Sequence, residues 1–492
     1  MSAHRRIPRP AWACAGIAVA VGLLWAAVTP AFWVPDEPVH VGYASEIAET
    51  GRVPKPMPSA PVGAESGLRA GGTEEQRVIF DRQPFRVEGR PSWIESDARR
   101  FHRAIEAEGI GRYKPGAALY LVNYSPVYYG LEAVPFRLGR NLPLLERLYL
   151  MRALSALLGG ITVLFTYMFL REALPGRRWA WTVGALAVAF QPLFGFMSGG
   201  VNNDTLLYSC SAALFFFLAR AFRRGIGMGT GLGIGLSVSL GLLAKSSMLG
   251  LVPGAAFGVL VLMWRRVREG EPGPTLRIGA VTAATAAFPY AAWLVLAGTV
   301  FGRGSSATGS ITGAAEGSLT TMEGRVSYLW QTVLPPLPSM SDKFFTYVPW
   351  ETYFKGFVGR FGWFEYGFAS GWYLPALAIF LGLTVLSLRS LLRSRPAVRR
   401  RAGELITYLA LGAGLLLVIE LAAYSYHVAI PDRYFEQARY LLPLIPLYGG
   451  FVALAAIGAG RRWARACGAL LVVLAFGHTL FSLLLTVDRF YL

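Results

Sequence analysis

The chain has 492 residues, of which 54% are hydrophobic and only 15% are charged, and its formal net charge is +18. Soluble globular proteins carry about 25% charged residues, so this chain has too little charge to cover a water-soluble surface of its length. The same figures exclude a disordered chain, a collagen and a disulfide-rich scaffold. We therefore expect an all-α polytopic membrane protein in which residues 1–492 form one integral membrane domain.

Apolar segments of about 20 residues, the length that a membrane-spanning helix needs, recur along the chain. Residues 115–139 are also apolar, but Asn123, Pro126 and Pro135 interrupt them, and we interpret them as an interfacial or re-entrant helix. Eleven other segments are predicted transmembrane helices, near residues 11–33, 146–170, 179–198, 204–220, 229–245, 247–264, 278–301, 370–388, 403–424, 438–460 and 467–487.

Lysine and arginine lie mainly on one side of these predicted helices. The N-terminus and the five loops on its side hold 22 of the 47 basic residues and 4 of the 29 acids, including Glu404, which opens a span. Cytoplasmic loops are enriched in Lys and Arg, so the N-terminus is predicted inside and the C-terminus outside. The net charge is thus a topology signal, and no nucleic-acid partner is expected. Two long segments, 34–145 and 302–370, then lie outside. Arg far above Lys is typical of a high-GC bacterium, so we expect a bacterial plasma membrane.

A pair of adjacent carboxylates follows the first predicted helix. The sequence P-D-E-P-V-H contains Asp36, Glu37 and His40, and the stretch from Val39 to Glu49 has the pattern of a short amphipathic helix. A carboxylate is favoured at the N-terminal end of a helix, so Asp36 has two interpretations, a helix cap and a catalytic group.

This motif resembles the first outside loop of the GT-C superfamily, membrane glycosyltransferases that use polyprenyl-phosphate sugars. Further elements resemble that superfamily in the same order: Tyr113-Lys114-Pro115, Ser125-Pro126-Val127-Tyr128-Tyr129, Arg147 with Arg152, Val201-Asn202-Asn203-Asp204, and Leu242-Leu243-Ala244-Lys245-Ser246. Phe361-Gly362-Trp363 and the segment from Arg433 to Pro443 are similar to a subgroup of bacterial predicted membrane proteins with this architecture. The Lys and Arg count independently places both acidic motifs on the outer side.

The resemblance implies inverting transfer of a sugar from a polyprenyl-phosphate donor to an envelope glycan, lipid or protein. Asp36 is the expected general base, and Glu37 is expected to orient the acceptor or share a cation. Alternatively, Mg²⁺, Mn²⁺ or Ca²⁺ bridges Asp36 and the phosphate. His40, Tyr43 and Asp204 are expected to contact the acceptor or the sugar. For His40 we also consider a helix-face histidine beside a carboxylate, and for Asp204 a helix cap.

The leaving phosphate needs fixed positive charge, which arginine supplies in a bidentate way and lysine as a point charge. The outside candidates are Lys114, Lys245, Arg433 and Arg439. Lys245 lies between two spans with no acid adjacent in sequence, and its alternative role is to reach the outer interface. For Arg433 the alternative is a pair with Asp432. For Arg439 it is a local ion pair with Glu436, three residues earlier.

Residues 328–373 hold 16 aromatic residues in 46 positions, more than twice the chain average of 13%. An aromatic belt at the membrane interface explains them structurally. The functional interpretation is a groove that covers a polyprenyl chain or stacks on a sugar, with Trp363 and Glu365 as sugar-contact candidates. Glu420 lies deep in a predicted helix and is a functional candidate without an assigned role.

Two other classes of function remain open from the sequence. A multi-pass transporter or flippase of a lipid-linked saccharide would use Lys245 and Glu420 as intramembrane charges. A polymerase or ligase of surface glycans would carry its large outside loop late in the chain. The acidic motif directly after the first helix favours the glycosyltransferase.

Overall fold

The computed structural model describes residues 7–54, 124–301, 321–340, 344, 348–362, 364, 366–429 and 435–491. The described elements are almost all helical. The first half contains α1 (Arg9–Val28), α2 (Glu37–Thr50), α3 (Pro126–Leu138), α4 (Leu144–Ala173), α5 (Arg178–Ala189), α6 (Pro192–Ser198), α7 (Asp204–Arg224), α8 (Met228–Ala244), α9 (Val252–Arg268) and α10 (Pro272–Thr299). The second half contains α11 (Met322–Val333), α12 (Lys355–Gly359), α13 (Tyr373–Arg393), α14 (Arg395–Arg400), α15 (Ala402–Ala429), α16 (Ile445–Gly458) and α17 (Ala464–Tyr491).

Short 3₁₀ and π segments extend several of these helices. They are Ser246–Leu251 before α9, Val348–Phe354 before α12, Ser370–Trp372 before α13, and Ala438–Leu444 before α16. The described part of the chain also has a two-residue antiparallel ladder, in which Arg360–Phe361 pairs with Tyr366–Gly367. The prediction of an all-α polytopic membrane protein is confirmed, apart from this small hairpin in the second long outside segment.

Among the described residues, nine helices are long and apolar enough to cross a membrane, and a tenth span arises if α5 and α6, bent by 62°, count as one. The prediction of eleven differs because α8 is a shorter apolar helix of 17 residues. Each of the eleven predicted segments nevertheless coincides with helix. Helix α3 has 13 residues, fewer than the roughly 20 that a span requires.

The centre of the bundle is built on α4, which packs against both α1 and α7. Small residues allow close approach of these helices: a Cβ atom at Gly22 would lie 3.0 Å from Cβ of Ala156. At the periphery, α10, α13 and α17 expose apolar side chains along most of their length. Exposure on this scale is expected of surfaces that face lipid rather than water.

The helices alternate in direction and define two ends of the bundle. One end, here called the acidic-motif end, holds Asp36 and the start of α7. At the other end, here called the arginine end, Glu172 near the end of α4 pairs with Arg220, Arg223 and Arg224 of α7. Because the spans connect the two ends, charged side chains distant in sequence meet at the acidic-motif end.

Candidate active site

Asp36 lies in the turn between α1 and α2 and has a left-handed backbone conformation, with φ of 65°. Aspartate is among the few non-glycine residues that tolerate this region. Although Asp36 occupies the N-cap position of α2, its side chain makes no capping hydrogen bond. The capping interpretation of its carboxylate is therefore wrong, and the carboxylate is turned towards another part of the chain.

The partner of Asp36 is Arg439, more than 400 residues away. Nη2 of Arg439 donates to Oδ2 of Asp36 at 2.8 Å, and Nη1 lies 3.9 Å from Oδ2 of Asp204. On the far side of Asp204, Nζ of Lys245 lies 2.6 Å from Oδ1. Four of the predicted site residues thus form one alternating row: Asp36, Arg439, Asp204 and Lys245.

The row is buried in its middle and open at its ends. The side chains of Arg439 and Asp204 are 4% and 2% exposed, whereas those of Asp36 and Lys245 are 19% and 14% exposed. A ligand can therefore reach a carboxylate at one end and an ammonium at the other. The ring of Tyr440 lies beside both cations, with its centroid 5.1 Å from Nζ of Lys245 and 5.2 Å from Cζ of Arg439.

The two asparagines of the second acidic motif hold the row in place. Asn202 donates to the carbonyl of Pro35 at 2.8 Å, and its own Oδ1 accepts from the backbone N–H of Asp204 at 2.9 Å. Asn203 donates to the carbonyl of Ala244 at 2.8 Å, directly before Lys245. These roles were not predicted, although both asparagines belong to the motif that indicated Asp204.

Glu37 does not face the same space as Asp36. Both of its oxygens bind Arg152, at 2.8 and 2.6 Å, and Oε1 also accepts from the backbone N–H of Val201 at 2.9 Å. The side chains of Glu37 and Arg152 are completely buried. The expectation that Glu37 orients the acceptor or shares a cation is corrected. Its carboxylate links the first acidic motif to Arg152 and to the backbone of Val201 in the second acidic motif.

His40 and Tyr43 lie on the following turns of α2, and both rings pack against Tyr129. Nδ1 of His40 lies 3.1 Å from the hydroxyl of Tyr129, and Tyr43 stacks on Tyr129 at 3.8 Å between ring centroids. Both side chains are buried, so this arrangement does not present them to a sugar. The Ser125–Tyr129 element thus supports α2, and the hydroxyl of Tyr43 donates to the carbonyl of Tyr124.

The charges of Asp36 and His40 follow from these contacts. Burial by itself would raise the pKa of Asp36, but the positive charge and hydrogen bond of Arg439 outweigh it, so this pKa lies below the ordinary 3.8. Burial lowers the pKa of His40 to about 3, even though Asp36 opposes that shift. Near neutral pH, Asp36 is a carboxylate and His40 is a neutral imidazole.

Other predicted residues lie away from the row or outside the described residues. Glu436 accepts a hydrogen bond from the phenol of Tyr328, whereas Arg439 contacts the carboxylates of Asp36 and Asp204, so the alternative interpretation of Arg439 as a local partner of Glu436 is wrong. Glu420 accepts from Thr332 at 3.0 Å and from the phenol of Tyr353, which ties α15 to the second outside segment. The predicted residues outside the described part of the chain are Lys114, Trp363, Glu365 and Arg433.

Arg360 is a cation near the site that the sequence did not indicate. It lines a small cavity together with Pro35 and Arg439, and it pairs with Glu351 at 3.0 Å. Within the described ranges, no group of three His, Cys, Asp or Glu side chains is arranged to hold a metal. Asp36 and Asp204 are each paired with a cationic side chain, so the described donors around Asp36 do not by themselves form a metal site.

The fold and the site define a polytopic membrane protein with a row of four alternating charges at one end of its bundle. The chain belongs to the family described as "Predicted membrane protein (DUF2142)", whose model matches residues 19–448. That match includes all four members of the row. Comparisons with curated proteins and with solved structures gave no match.

Proposed function

We propose that the protein is a glycosyltransferase of the GT-C type, which moves a sugar from a polyprenyl-phosphate donor to an envelope glycan, lipid or protein. The observation that carries this proposal is the row of Asp36, Arg439, Asp204 and Lys245. It combines a partly exposed carboxylate with two cations at one end of the bundle. Transfer from a sugar phosphate needs these two components, a proton acceptor and a site for the leaving phosphate.

Asp36 is the proposed general base. The acceptor hydroxyl oxygen attacks the anomeric carbon and forms the new C–O bond, while the bond from that carbon to the phosphate oxygen breaks. The hydroxyl proton passes to the carboxylate of Asp36, and the bonding electrons leave with the phosphate. One displacement of this kind inverts the anomeric centre and needs no covalent intermediate.

Arg439 and Lys245 are the proposed phosphate-binding residues. In the structure Arg439 binds Asp36, so a donor phosphate competes with Asp36 for the same guanidinium. A phosphate bound to Arg439 would release the carboxylate of Asp36 and remove the contact that lowers its pKa. Donor binding would therefore make Asp36 a stronger base at the moment that the acceptor arrives.

The outer face of a bacterial plasma membrane is the proposed location of this chemistry. The support is the distribution of Lys and Arg, which places the acidic-motif end outside. A polyprenyl chain would remain in the bilayer while its phosphate reaches Lys245, the more exposed of the two cations in the row.

A transfer assay with the full-length protein in liposomes tests this proposal. The wild type, Asp36→Asn and Glu46→Gln receive a panel of polyprenyl-phosphate sugars and an extracted envelope glycolipid fraction. Glu46 lies on the same helix and provides a matched loss of one carboxylate. We expect release of polyprenyl phosphate by the wild type and Glu46→Gln, and a loss of roughly 10²- to 10⁴-fold in Asp36→Asn.

Two outcomes would overturn the proposal. Wild-type turnover by a folded Asp36→Asn protein would exclude Asp36 as the base. Movement of an intact lipid-linked saccharide across the vesicle, without cleavage of any donor, would instead support a transporter or flippase.

A further inference from the structure

An open groove of about 450 Å³ lies at the arginine end of the bundle, opposite Asp36. Its lining comes from the last turns of α13 and the start of α14. The residues of this surface, here called the arginine groove, are Val385, Leu388, Arg389, Leu392, Arg393 and Arg395. Arg389 and Arg393 are four residues apart on α13 and therefore share one face of that helix.

The three arginines of the groove differ from neighbouring arginines because they form no ion pair with a described carboxylate. At the same end, Glu172 pairs with three arginines of α7, and Glu404 pairs with Arg401. Within the part of the chain that the structure describes, no carboxylate pairs with Arg389, Arg393 or Arg395. The guanidinium of Arg393 also lies beside the turn at Gly460, which precedes Arg461 and Arg462. Positive charge accumulates here without internal neutralisation.

The apolar part of the groove continues into an exposed apolar face of α13. Val385, Leu388 and Leu392 are 64%, 52% and 55% exposed, and only 11% of the most apolar window of this span is buried. The opposite face of α13 packs on α16, where Ser387 donates to the carbonyl of Phe451 at 2.9 Å. The groove therefore has an apolar side that can hold an acyl chain and guanidinium groups at its end that can bind phosphate.

We propose that the arginine groove binds an anionic phospholipid of the membrane leaflet at this end. The phosphate lies among the guanidinium groups, which bind phosphate oxygens in a bidentate manner. One acyl chain lies along the three apolar residues. Clusters of basic residues directly at the end of a span are a known form of anionic-lipid site, and each arginine contributes roughly fivefold in affinity near an anionic surface. This inference is independent of the glycosyltransferase proposal, because it concerns the other end of the molecule.

Native mass spectrometry and thermal unfolding of the full chain test the proposal. The protein is purified in detergent and given phosphatidylglycerol, phosphatidylcholine or inorganic phosphate. The test variant is Arg389→Gln/Arg393→Gln/Arg395→Gln, and the control variant is Arg177→Gln/Arg178→Gln/Arg277→Gln. The control removes the same charge from exposed positions outside the groove.

We expect phosphatidylglycerol to remain bound to the wild type and the control variant and to raise their unfolding temperatures. The groove variant should bind this lipid about a hundredfold more weakly, while its unfolding temperature in phosphatidylcholine equals that of the wild type. Equal losses in both variants would overturn the proposal, because diffuse positive charge would then suffice. Equal protection by phosphatidylcholine or by inorganic phosphate would overturn it as well. If the triple variant is poorly folded, Arg393→Gln alone should weaken binding about fivefold, and an unchanged affinity would overturn the proposal.

Discussion

Glu37 and Arg152 form a bidentate ion pair from which solvent is completely excluded. Arg152 uses its remaining donors on the backbone carbonyls of Ala26, Thr29 and Pro30, at 2.8 to 2.9 Å. It therefore satisfies the unpaired carbonyls at the end of α1 and, through Glu37, fixes the turn that carries Asp36. The ion pair positions the proposed base without facing the substrate.

Glu37→Gln should destabilise the protein much more than it changes the chemistry of a folded site. The substitution leaves the charge of Arg152 buried and without its carboxylate, which costs roughly 3–5 kcal/mol. We expect a large fall in the unfolding temperature of the purified protein, measured by scanning fluorimetry. Transfer per folded molecule should fall less than in Asp36→Asn.

Glu49→Gln is the matched control, because Glu49 also pairs with an arginine of α4 but is 32% exposed and 3.6 Å from Arg147. Arg147 is buried, but Glu49 is partly exposed and its contact is longer than that of Glu37, so this variant should lose much less stability than Glu37→Gln. Equal stability of Glu37→Gln and Glu49→Gln would contradict a positioning role for the buried pair.

Lys245→Gln should weaken the proposed phosphate site while leaving Asp36 in place. We expect a loss of about 10²-fold in kcat/KM for the donor, comparable with the removal of one charged group from an electrostatic site. Because Nζ also binds Asp204, part of the loss is structural, and the double variant with Asp204→Asn separates the two contributions. If the double variant regains stability but not donor turnover, Lys245 contacts the phosphate. Full recovery of turnover would assign Lys245 a structural role alone.

The rate of transfer should show no titration of Asp36 or His40 between about pH 5 and 7. Arg439 holds the pKa of Asp36 below 3.8, so this carboxylate is lost only as the pH falls through that lower value. Burial holds the pKa of His40 near 3, so the imidazole is already neutral throughout this interval. A pH profile of kcat/KM in liposomes checks both statements. An acid limb near pH 6.5 that disappears in His40→Asn would show that His40 is protonated in the free enzyme.

The sequence predicted the span segments and four residues of the site. The sequence patterns that indicate them are either local or depend on the side of the membrane on which a residue lies. Length and hydropathy identify a span, and the Lys and Arg bias predicts that Asp36, Asp204 and Lys245 lie on one side of the membrane. Which charged side chains pair with each other could not be predicted from these patterns. Glu37 follows Asp36 directly, yet the carboxylate of Asp36 is partly exposed and that of Glu37 is buried against Arg152.

Pairing depends on packing between distant helices, which a single sequence does not encode in any short pattern. Lys245 has no acid near it in sequence, but Asp204, 41 residues earlier, lies 2.6 Å away. The spacing of Glu436 and Arg439 is typical of a local ion pair, whereas the bundle brings Arg439 to Asp36. The predicted count of eleven spans and the nine or ten helices that are long and apolar enough to cross a membrane differ at α8, because at 17 residues composition alone does not separate a short span from an apolar buried helix.

Glu132 should make the protein less stable as the pH rises towards 8. This carboxyl group on α3 is fully buried and accepts hydrogen bonds from Tyr128 and Ser155 at 3.1 and 3.0 Å. Burial raises its pKa to about 8, although both hydrogen bonds favour the ionised form. The folded protein therefore keeps a proton that the unfolded chain loses above its ordinary pKa of 4.5. Stability from this group is complete below pH 4.5 and falls by up to about 1.4 kcal/mol per pH unit until pH 8.

Unfolding temperatures of the wild type, Glu132→Gln and Glu46→Gln between about pH 5 and 8 check this expectation. A glutamine is uncharged at every pH, so Glu132→Gln should flatten the decline, whereas Glu46→Gln should retain it. An unchanged slope in Glu132→Gln would mean that the carboxyl group is already ionised in the folded protein. In that case its burial against Tyr128 and Ser155 would have to be relieved by a local rearrangement of α3.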